Sequence, residues 1–120
     1  MAKSLIRVDN VGKVNAAIRA RSLRGAKTAT LNVGFSARHA AKIHEDLTLQ
    51  HPNGGQAKFL EAPLRRHSRE LGRMFLKELQ NKRSLKDALM RPGKWLLEKA
   101  KELVPVQTGE LRDSGFVEVS

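Results

Sequence analysis

The sequence contains no cysteine and no tyrosine, and aromatic residues make up only 4% of its 120 positions. Without cysteine the chain has neither a disulfide framework nor a thiolate metal site. Few aromatics also leave it without the stacking platforms of proteins that bind single-stranded nucleic acid, and no RNP, zinc-finger or Gly-x-x-Gly pattern is present. These absences argue against redox chemistry and base-stacking recognition.

Long apolar runs are absent as well. The first residues, Met1 to Ser4, lack the apolar run of a signal peptide, and no stretch approaches the roughly 18 apolar residues of a membrane helix. We therefore expect a soluble protein with no membrane partner. A chain of 120 residues is about one domain's worth, so we predict a single domain over 1–120.

Catalytic signatures are missing too. The sequence has no Gly-rich phosphate loop and no Gly-x-Ser-x-Gly elbow, and Thr48 stands where a zincin-type site beginning at His44-Glu45 needs its second histidine. Glu45 and Asp46 are adjacent, so their carboxylates point apart. We predict no enzyme activity, metal or cofactor. His39, His44 and His51 could gather around a loop, as polar contacts more readily than as ligands.

Acidic residues are few: the chain has 12 Asp and Glu and 23 Lys and Arg, which gives a formal net charge of +11. The excess is uneven: 1–29 hold seven basic and one acidic residue, 63–95 ten and three, and 96–120 three and five. This asymmetry is typical of a phosphate-binding face, or of a basic surface that meets an acidic one on an identical or different subunit.

The residue pattern over 4–35 predicts a strand, a helix and a second strand. Ser4–Asp9 could be an edge strand. Asn10 can cap a helix whose apolar positions Val11, Val14, Ala17 and Ile18 follow helical spacing, with Gly25 as its stop. Alternation of apolar and polar residues over Thr28–Phe35 indicates a half-buried strand.

The middle of the chain predicts a loop and a long helix. Ser36 can cap a helix or turn from Ala37 to about Leu47, and the polar stretch that contains His51 and Asn53 predicts a flexible loop near 48–58. A helix then begins around Glu61 and Pro63. Its buried stripe is Leu64, Leu71, Met74, Phe75 and Leu79. Its cationic residues are Arg65, Arg66, Arg69, Arg73, Lys77, Lys82 and Arg83, which form either a solvated face or a protein or phosphate contact.

The last third predicts helix, corner and strand. Ser84 and Asp87 have the spacing of a capping box, and Pro92-Gly93 should divide the helix into two pieces joined by a kink, with Trp95 as a core or interface anchor. A built corner of Pro105, Thr108 and Gly109 follows, with Leu111 packed beneath the helix and Arg112 free for a contact. A final strand at 116–119 could pair with Thr28–Phe35. The fold class predicted is α+β, a small mainly antiparallel sheet packed against two long helices.

Four stretches, in order, carry a resemblance to a known family. They are Val33-Gly34-Phe35, His39-Ala40-Ala41-Lys42-Ile43-His44-Glu45, Lys58-Phe59-Leu60-Glu61-Ala62-Pro63-Leu64 and Thr108-Gly109-Glu110-Leu111-Arg112-Asp113-Ser114. Together they resemble small virion proteins of tailed bacteriophages, the neck, tail-completion and minor capsid components, over roughly residues 29–119.

The resemblance implies a structural protein, a ring of subunits at the head-to-tail junction. Its partners would be further copies of itself and portal, connector or tail proteins, close to packaged DNA. It would assemble in the bacterial host cytoplasm and then reside in the virion. The residues expected to contact subunits or partners are Arg65, Arg66, Arg69, Arg73, His51, Asn53 and Arg112. The alternative, which rests on charge alone, is a small basic nucleic-acid-binding protein.

Overall fold

The computed structural model describes residues 3–8, 14–21, 27–45, 58–81, 84–105 and 109–120. The chain is an α+β protein, as predicted, with an antiparallel sheet in the order β1-β2-β3-β4. The strands are β1 (Lys3–Val8), β2 (Val14–Arg21), β3 (Thr28–Phe35) and β4 (Gly115–Val119). The helices are α1 (Ala40–Glu45), α2 (Glu61–Arg66), α3 (Ser68–Asn81), α4 (Leu85–Leu103) and α5 (Glu110–Asp113).

The prediction of a helix after Asn10 is wrong, because Val14–Arg21 form a strand between β1 and β3. Val14, Ala16, Ile18 and Ala20 are buried, and the residues between them are half-buried or exposed, which is the period of a strand. Val14, Ala17 and Ile18 fit helical spacing by coincidence. β3 pairs with all of β2, and β1 pairs with β2 from Val14 to Arg19; local helix propensity does not outweigh these backbone hydrogen bonds. Asn10, its proposed cap, lies outside the described residues.

The remaining strand predictions are confirmed. A first strand runs over Lys3–Val8. β3 buries the residues of its apolar set, and β4 pairs with it antiparallel, with Val33 opposite Val117 and Phe35 opposite Gly115. Two residues that are 84 apart in sequence therefore lie side by side in the sheet.

The long helix predicted from Glu61 is two helices, α2 and α3, separated at His67. His67 leaves the helical region with φ −109° and ψ 19°, while its N–H still donates to the carbonyl of Pro63 at 2.9 Å. The break places the His67 ring edge-on against Trp95 of α4, with 5.0 Å between ring centroids. Of the predicted stripe, Leu64 and Leu71 are buried, whereas Met74, Phe75 and Leu79 are half-buried.

The two pieces predicted around Pro92-Gly93 are one continuous helix, α4. Its predicted N-cap is confirmed, since the Asp87 N–H donates to Ser84 Oγ at 3.1 Å. A proline inside a helix loses a hydrogen bond and costs about 3 kcal/mol or more. Here Pro92 and Gly93 are both buried, and a Cβ on Gly93 would come within 2.5 Å of Leu31 Cδ1. Close packing of α4 on the sheet offsets the free-energy cost of the hydrogen bond that Pro92 cannot make.

The core lies between one face of the sheet and the helices. Buried side chains from β2 and β3 meet Phe59 and Leu60 just before α2, Leu89, Leu96 and Leu97 of α4, and Leu111 of α5. Phe35 and Phe59 are fully buried and pack edge to face, with ring centroids 5.2 Å apart. Trp95 is only half-buried and packs against the margin of this core.

The corner before β4 is built as predicted in its described part. Val104 ends α4 in an extended conformation before Pro105, and Gly109 has φ 82°. The chain does not pass straight into a strand, however, because the short helix α5 intervenes. Leu111 on that helix is 8% exposed and belongs to the core. Thr108 lies outside the described residues.

Candidate partner-binding surface

A row of exposed basic side chains runs along α2 and α3, as predicted. We call Arg65, Arg66, Arg69, Arg73 and Lys77 the cationic face. Its last three members are four residues apart, so they lie along one side of α3, opposite the side that carries Leu71. Lys82 and Arg83, also predicted to belong to it, lie outside the described residues.

Within the described residues, most of the cationic face forms no ion pair. Arg65 is 3.2 Å from the Glu61 carboxylate but remains 79% exposed, so this pair is weak. Within the described part of the chain no ion pair joins Arg66, Arg69, Arg73 or Lys77 to a carboxylate. The acidic residues of α3 point elsewhere: Glu70 lies beside His67 and Glu78 beside Arg91. The positive charge is therefore available to a partner.

An apolar side chain interrupts this charge. Leu76 is 58% exposed and lies on the same side of α3 as Arg69 and Arg73. Behind it, α3 stands away from the sheet over a mainly apolar cavity of about 150 Å³, which Gly72, Phe75 and Ile18 help to line. No atom of the described residues lies within 4 Å of the position that a Cβ on Gly72 would take. The surface thus combines charge with an apolar contact residue.

A second cluster joins the two ends of the undescribed segment 46–57. The Lys58 N–H donates to the carbonyl of His44 at 2.7 Å, and the Lys58 ammonium donates to the Glu45 carboxylate. Glu61 lies 3.5 Å from the same ammonium. Lys58 itself has φ 56°, which is uncommon outside glycine. We call His44, Glu45, Lys58 and Glu61 the loop clamp, because they hold residues 45 and 58 together.

His44 is the buried centre of the clamp, with no exposed side-chain surface. Its Nε2 accepts from the Glu61 N–H at 3.2 Å, so in the neutral ring the proton is on Nδ1, which donates to Glu45 at 3.1 Å. Its ring also packs edge-on against Phe59 at 4.9 Å. Both ring nitrogens are used, so this histidine is a structural polar contact.

Burial sets the charge states in the clamp. Desolvation lowers the pKa of His44, and this effect exceeds the opposing bond and charge of Glu45. Partial burial opposes ionisation of Glu45, yet the bonds from Lys58 and His44 outweigh it and lower the pKa of that carboxyl. The clamp is thus built around a neutral imidazole and an ionised carboxylate.

Of the other predicted contact residues, Arg112 is the one that the structure describes. Arg112 is exposed on α5, a different element from the cationic face, and His51 and Asn53 lie outside the described residues. His39 is exposed and does not join His44 in the clamp. The sequence reading missed the partnership of His44 with Lys58 and Glu61. The signal that could have revealed it was His44 on the narrow apolar face with Ala40 and Ala41.

The described residues include no group of three His, Cys, Asp or Glu side chains placed to hold a metal ion. In the part of the chain that is described, no helix has the length and apolar character needed to cross a membrane. Comparison with protein-family models, curated proteins and solved structures gave no match.

Proposed function

We propose that the chain is a structural subunit of a tailed-bacteriophage particle, a neck or tail-completion component that forms a ring at the head-to-tail junction. The observation that supports this proposal is spatial. The stretches that carry the resemblance to such proteins are separated in sequence, yet in the fold they meet around the end of β3.

The contacts among these stretches are specific. Phe35, which ends β3, packs on Phe59, and Phe59 packs on His44. The N–H of Ser36 donates to the carbonyl of Ser114 at 3.1 Å, which joins the closing stretch to the same point. These contacts place the four stretches in one structural unit, which supports membership of the family.

The cationic face is the surface that we assign to a virion partner. Its unpaired arginines suit an acidic protein surface of a portal, connector or tail subunit. Leu76 among them favours a protein partner, because a buried apolar contact stabilises a protein interface, whereas phosphate recognition needs no such residue.

The second candidate, a small basic nucleic-acid-binding protein, is favoured by the exposure of the same face. Binding through phosphates would show a steep fall of affinity with salt, because each neutralised phosphate releases counterions. Retardation of duplex DNA at physiological salt therefore separates the two functions.

Charge reversal on the cationic face tests the proposal. We expect Arg69→Glu with Arg73→Glu to leave the melting temperature nearly unchanged, because both residues are exposed, and to block joining of the protein into particles. Particle incorporation after complementation in the host is the measurement. The matched control is Lys86→Glu with Lys94→Glu, which makes the same change in net charge at exposed positions of α4.

Two results would contradict the proposal. In one, the α3 variant joins particles as well as wild type does. In the other, wild-type protein binds duplex DNA with a steep salt dependence, and the α3 variant loses that binding while still joining; the nucleic-acid function would then be preferred.

A further inference from the structure

Among the described residues, both edges of the sheet are unpaired. Its order is β1-β2-β3-β4, and no other described strand pairs with the outer side of β1 or of β4. An unpaired edge presents a row of backbone donors and acceptors that another strand can bind. These two edges are therefore places where the chain can bind another strand.

The hydrogen bonds between β3 and β4 show which groups face outward. Thr30 and Ser120 exchange both backbone bonds, at 2.8 and 2.9 Å. In an antiparallel pair, bonded residues alternate with residues whose N–H and C=O point the other way. Phe116, Glu118 and Ser120 thus bond to β3. Gly115, Val117 and Val119 direct their backbone groups to the free edge.

The same alternation continues across the sheet to β1. Residues of β3 that do not bond to β4 bond to β2, and the alternate residues of β2 bond to β1. With the register Lys3 opposite Arg19 and Leu5 opposite Ala17, the β1 residues left facing outward are Ser4, Ile6 and Val8. Each edge therefore carries three residues with outward backbone groups.

We propose that β4 of one copy pairs antiparallel with β1 of a second copy, with Val117 opposite Ile6 of that copy. The inference rests on the ring proposed above and identifies its subunit contact. Each strand of the sheet is antiparallel to its neighbour, so β1 and β4 run in opposite directions. When identical copies are placed side by side in the same orientation, β4 of one copy is therefore antiparallel to β1 of the next. Such a head-to-tail contact leaves a free edge at each end, and a ring closes both.

In this register, the face of the sheet that covers the core in one copy continues into the core-covering face of the next copy. Ser4, Ile6 and Val8 are the register partners of Ile18, Ala16 and Val14, which are buried in the core. Val117 and Val119 are the partners of Val33 and Leu31, also in the core. Pairing of the outward groups therefore sets the core sides of both copies on the same side of the joined sheet.

Charge favours this pairing over a two-fold contact. Glu118 is exposed and has no ion-pair partner among the described residues. In the proposed register position 118 is opposite Leu5 of the second copy and diagonal to positions 3 and 7, which are Lys and Arg in the sequence. Opposite charges at such cross-strand positions favour pairing. A two-fold contact of β4 with β4 would instead bring together two strands whose one charged residue is acidic.

Engineered disulfides test the contact directly, because the chain has no cysteine of its own. Bonded antiparallel residues have Cα atoms about 5.5 Å apart, which suits a disulfide. Within one copy the two edges are three strand spacings apart, roughly 14 Å, which a disulfide cannot bridge. Purified Val117→Cys with Ile6→Cys should therefore form a ladder of covalent oligomers on a non-reducing gel after mild oxidation.

Two control variants distinguish the proposed pairing of β4 with β1 from other arrangements of the copies. Glu118→Cys with Ile6→Cys places the thiols on opposite sides of the sheet and should give no ladder. Val117→Cys alone should stay monomeric on the gel. A covalent dimer from that single variant would overturn the inference in favour of a two-fold contact, and absence of a ladder from the first pair would overturn it outright.

Charge exchange provides a second measurement that needs no thiol. Glu118→Lys should shift sedimentation toward the monomer, and Lys3→Glu with Arg7→Glu in the same chain should restore the oligomer. If the triple variant stays monomeric while wild type is oligomeric, the pairing of these edges is wrong. If the variants behave as expected and the protein never enters a particle, the inference stands and the proposed function fails.

Discussion

At the scale of single residues, His44 is a fully buried polar group that shares the narrow apolar face of α1 with Ala40 and Ala41. Its Nε2 accepts from the N–H of Glu61, which is 17 residues away in sequence. Burial of a polar group requires such a partner.

The neutral state of His44 leads to a pH-dependence prediction. Since burial lowers its pKa from 6.5, the unfolded chain binds the proton more readily than the folded one does. The stability that depends on the neutral ring is complete above the unfolded pKa and declines as the pH falls below about 6.5. The pKa of Glu45 is also lowered, so its contribution is lost at lower pH, below its usual 4.5.

Urea unfolding at a series of pH values checks this prediction. Between pH 7.5 and pH 5, roughly the interval in which a histidine titrates, wild-type stability should fall, whereas His44→Gln should be less stable overall and less dependent on pH. His39→Gln, at an exposed position, should retain the wild-type dependence. Equal pH dependence in wild type and His44→Gln would contradict the assignment of a neutral buried ring.

The closing corner supports a second prediction at this scale. Gly109→Val should cost about 1 to 3 kcal/mol, because a β-branched residue is strained at φ 82°. Among the described residues, the nearest atom to a Cβ at this position is Asp113 Oδ2 at 3.9 Å, an ordinary van der Waals contact. The cost is therefore conformational, and thermal melts measure it.

Arg112→Ala is the matched control for the corner, since Arg112 is exposed on α5. It should change stability by less than about 0.5 kcal/mol and weaken assembly if Arg112 makes the predicted subunit contact. A Gly109→Val protein as stable as wild type would show that the corner is not strained as argued.

At the scale of elements, β3, β4 and the capped start of α4 at Ser84 were predictable because their local patterns agree with their tertiary partners. The continuity of α4 through Pro92 was not, because it depends on packing against the sheet. β2 was not, because its many alanines fit a helix and a strand equally well, and the decision is made by β1 and β3. The break at His67 was not predictable either, because the apolar spacing continues on both sides of it, and the contact of the His67 ring with Trp95 that accompanies the break is tertiary. Tertiary contacts thus set what local spacing leaves open.

The close packing of α4 on the sheet predicts that a larger residue at Gly93 destabilises the fold. Gly93→Ala should destabilise by about 1 to 3 kcal/mol, because the added methyl would be 2.5 Å from Leu31 Cδ1 and 2.9 Å from Val117 Cγ1. Gly72→Ala, on α3 with open space around it, should instead be neutral or stabilising by up to about 1 kcal/mol. Denaturant midpoints of the two variants measure the difference, and equal effects would contradict close packing at Gly93.

At the scale of the whole molecule, the cationic face was predictable and its partner was not. The positions of Arg69, Arg73 and Lys77 follow from helical spacing alone. Whether acidic side chains of the same chain neutralise them depends on the fold, which directs Glu78 to Arg91 instead. The two sheet edges likewise appear only once the strand order is known, because no local pattern shows which strand is outermost.

We propose that the chain is a ring subunit of a phage particle, and electron cryomicroscopy of the particle encoded by the same genome tests this most directly. We expect a closed ring at the head-to-tail junction whose subunit density fits this fold, with the cationic face against a neighbouring protein. A particle complete without this chain, together with purified protein that retards duplex DNA at physiological salt, would contradict it.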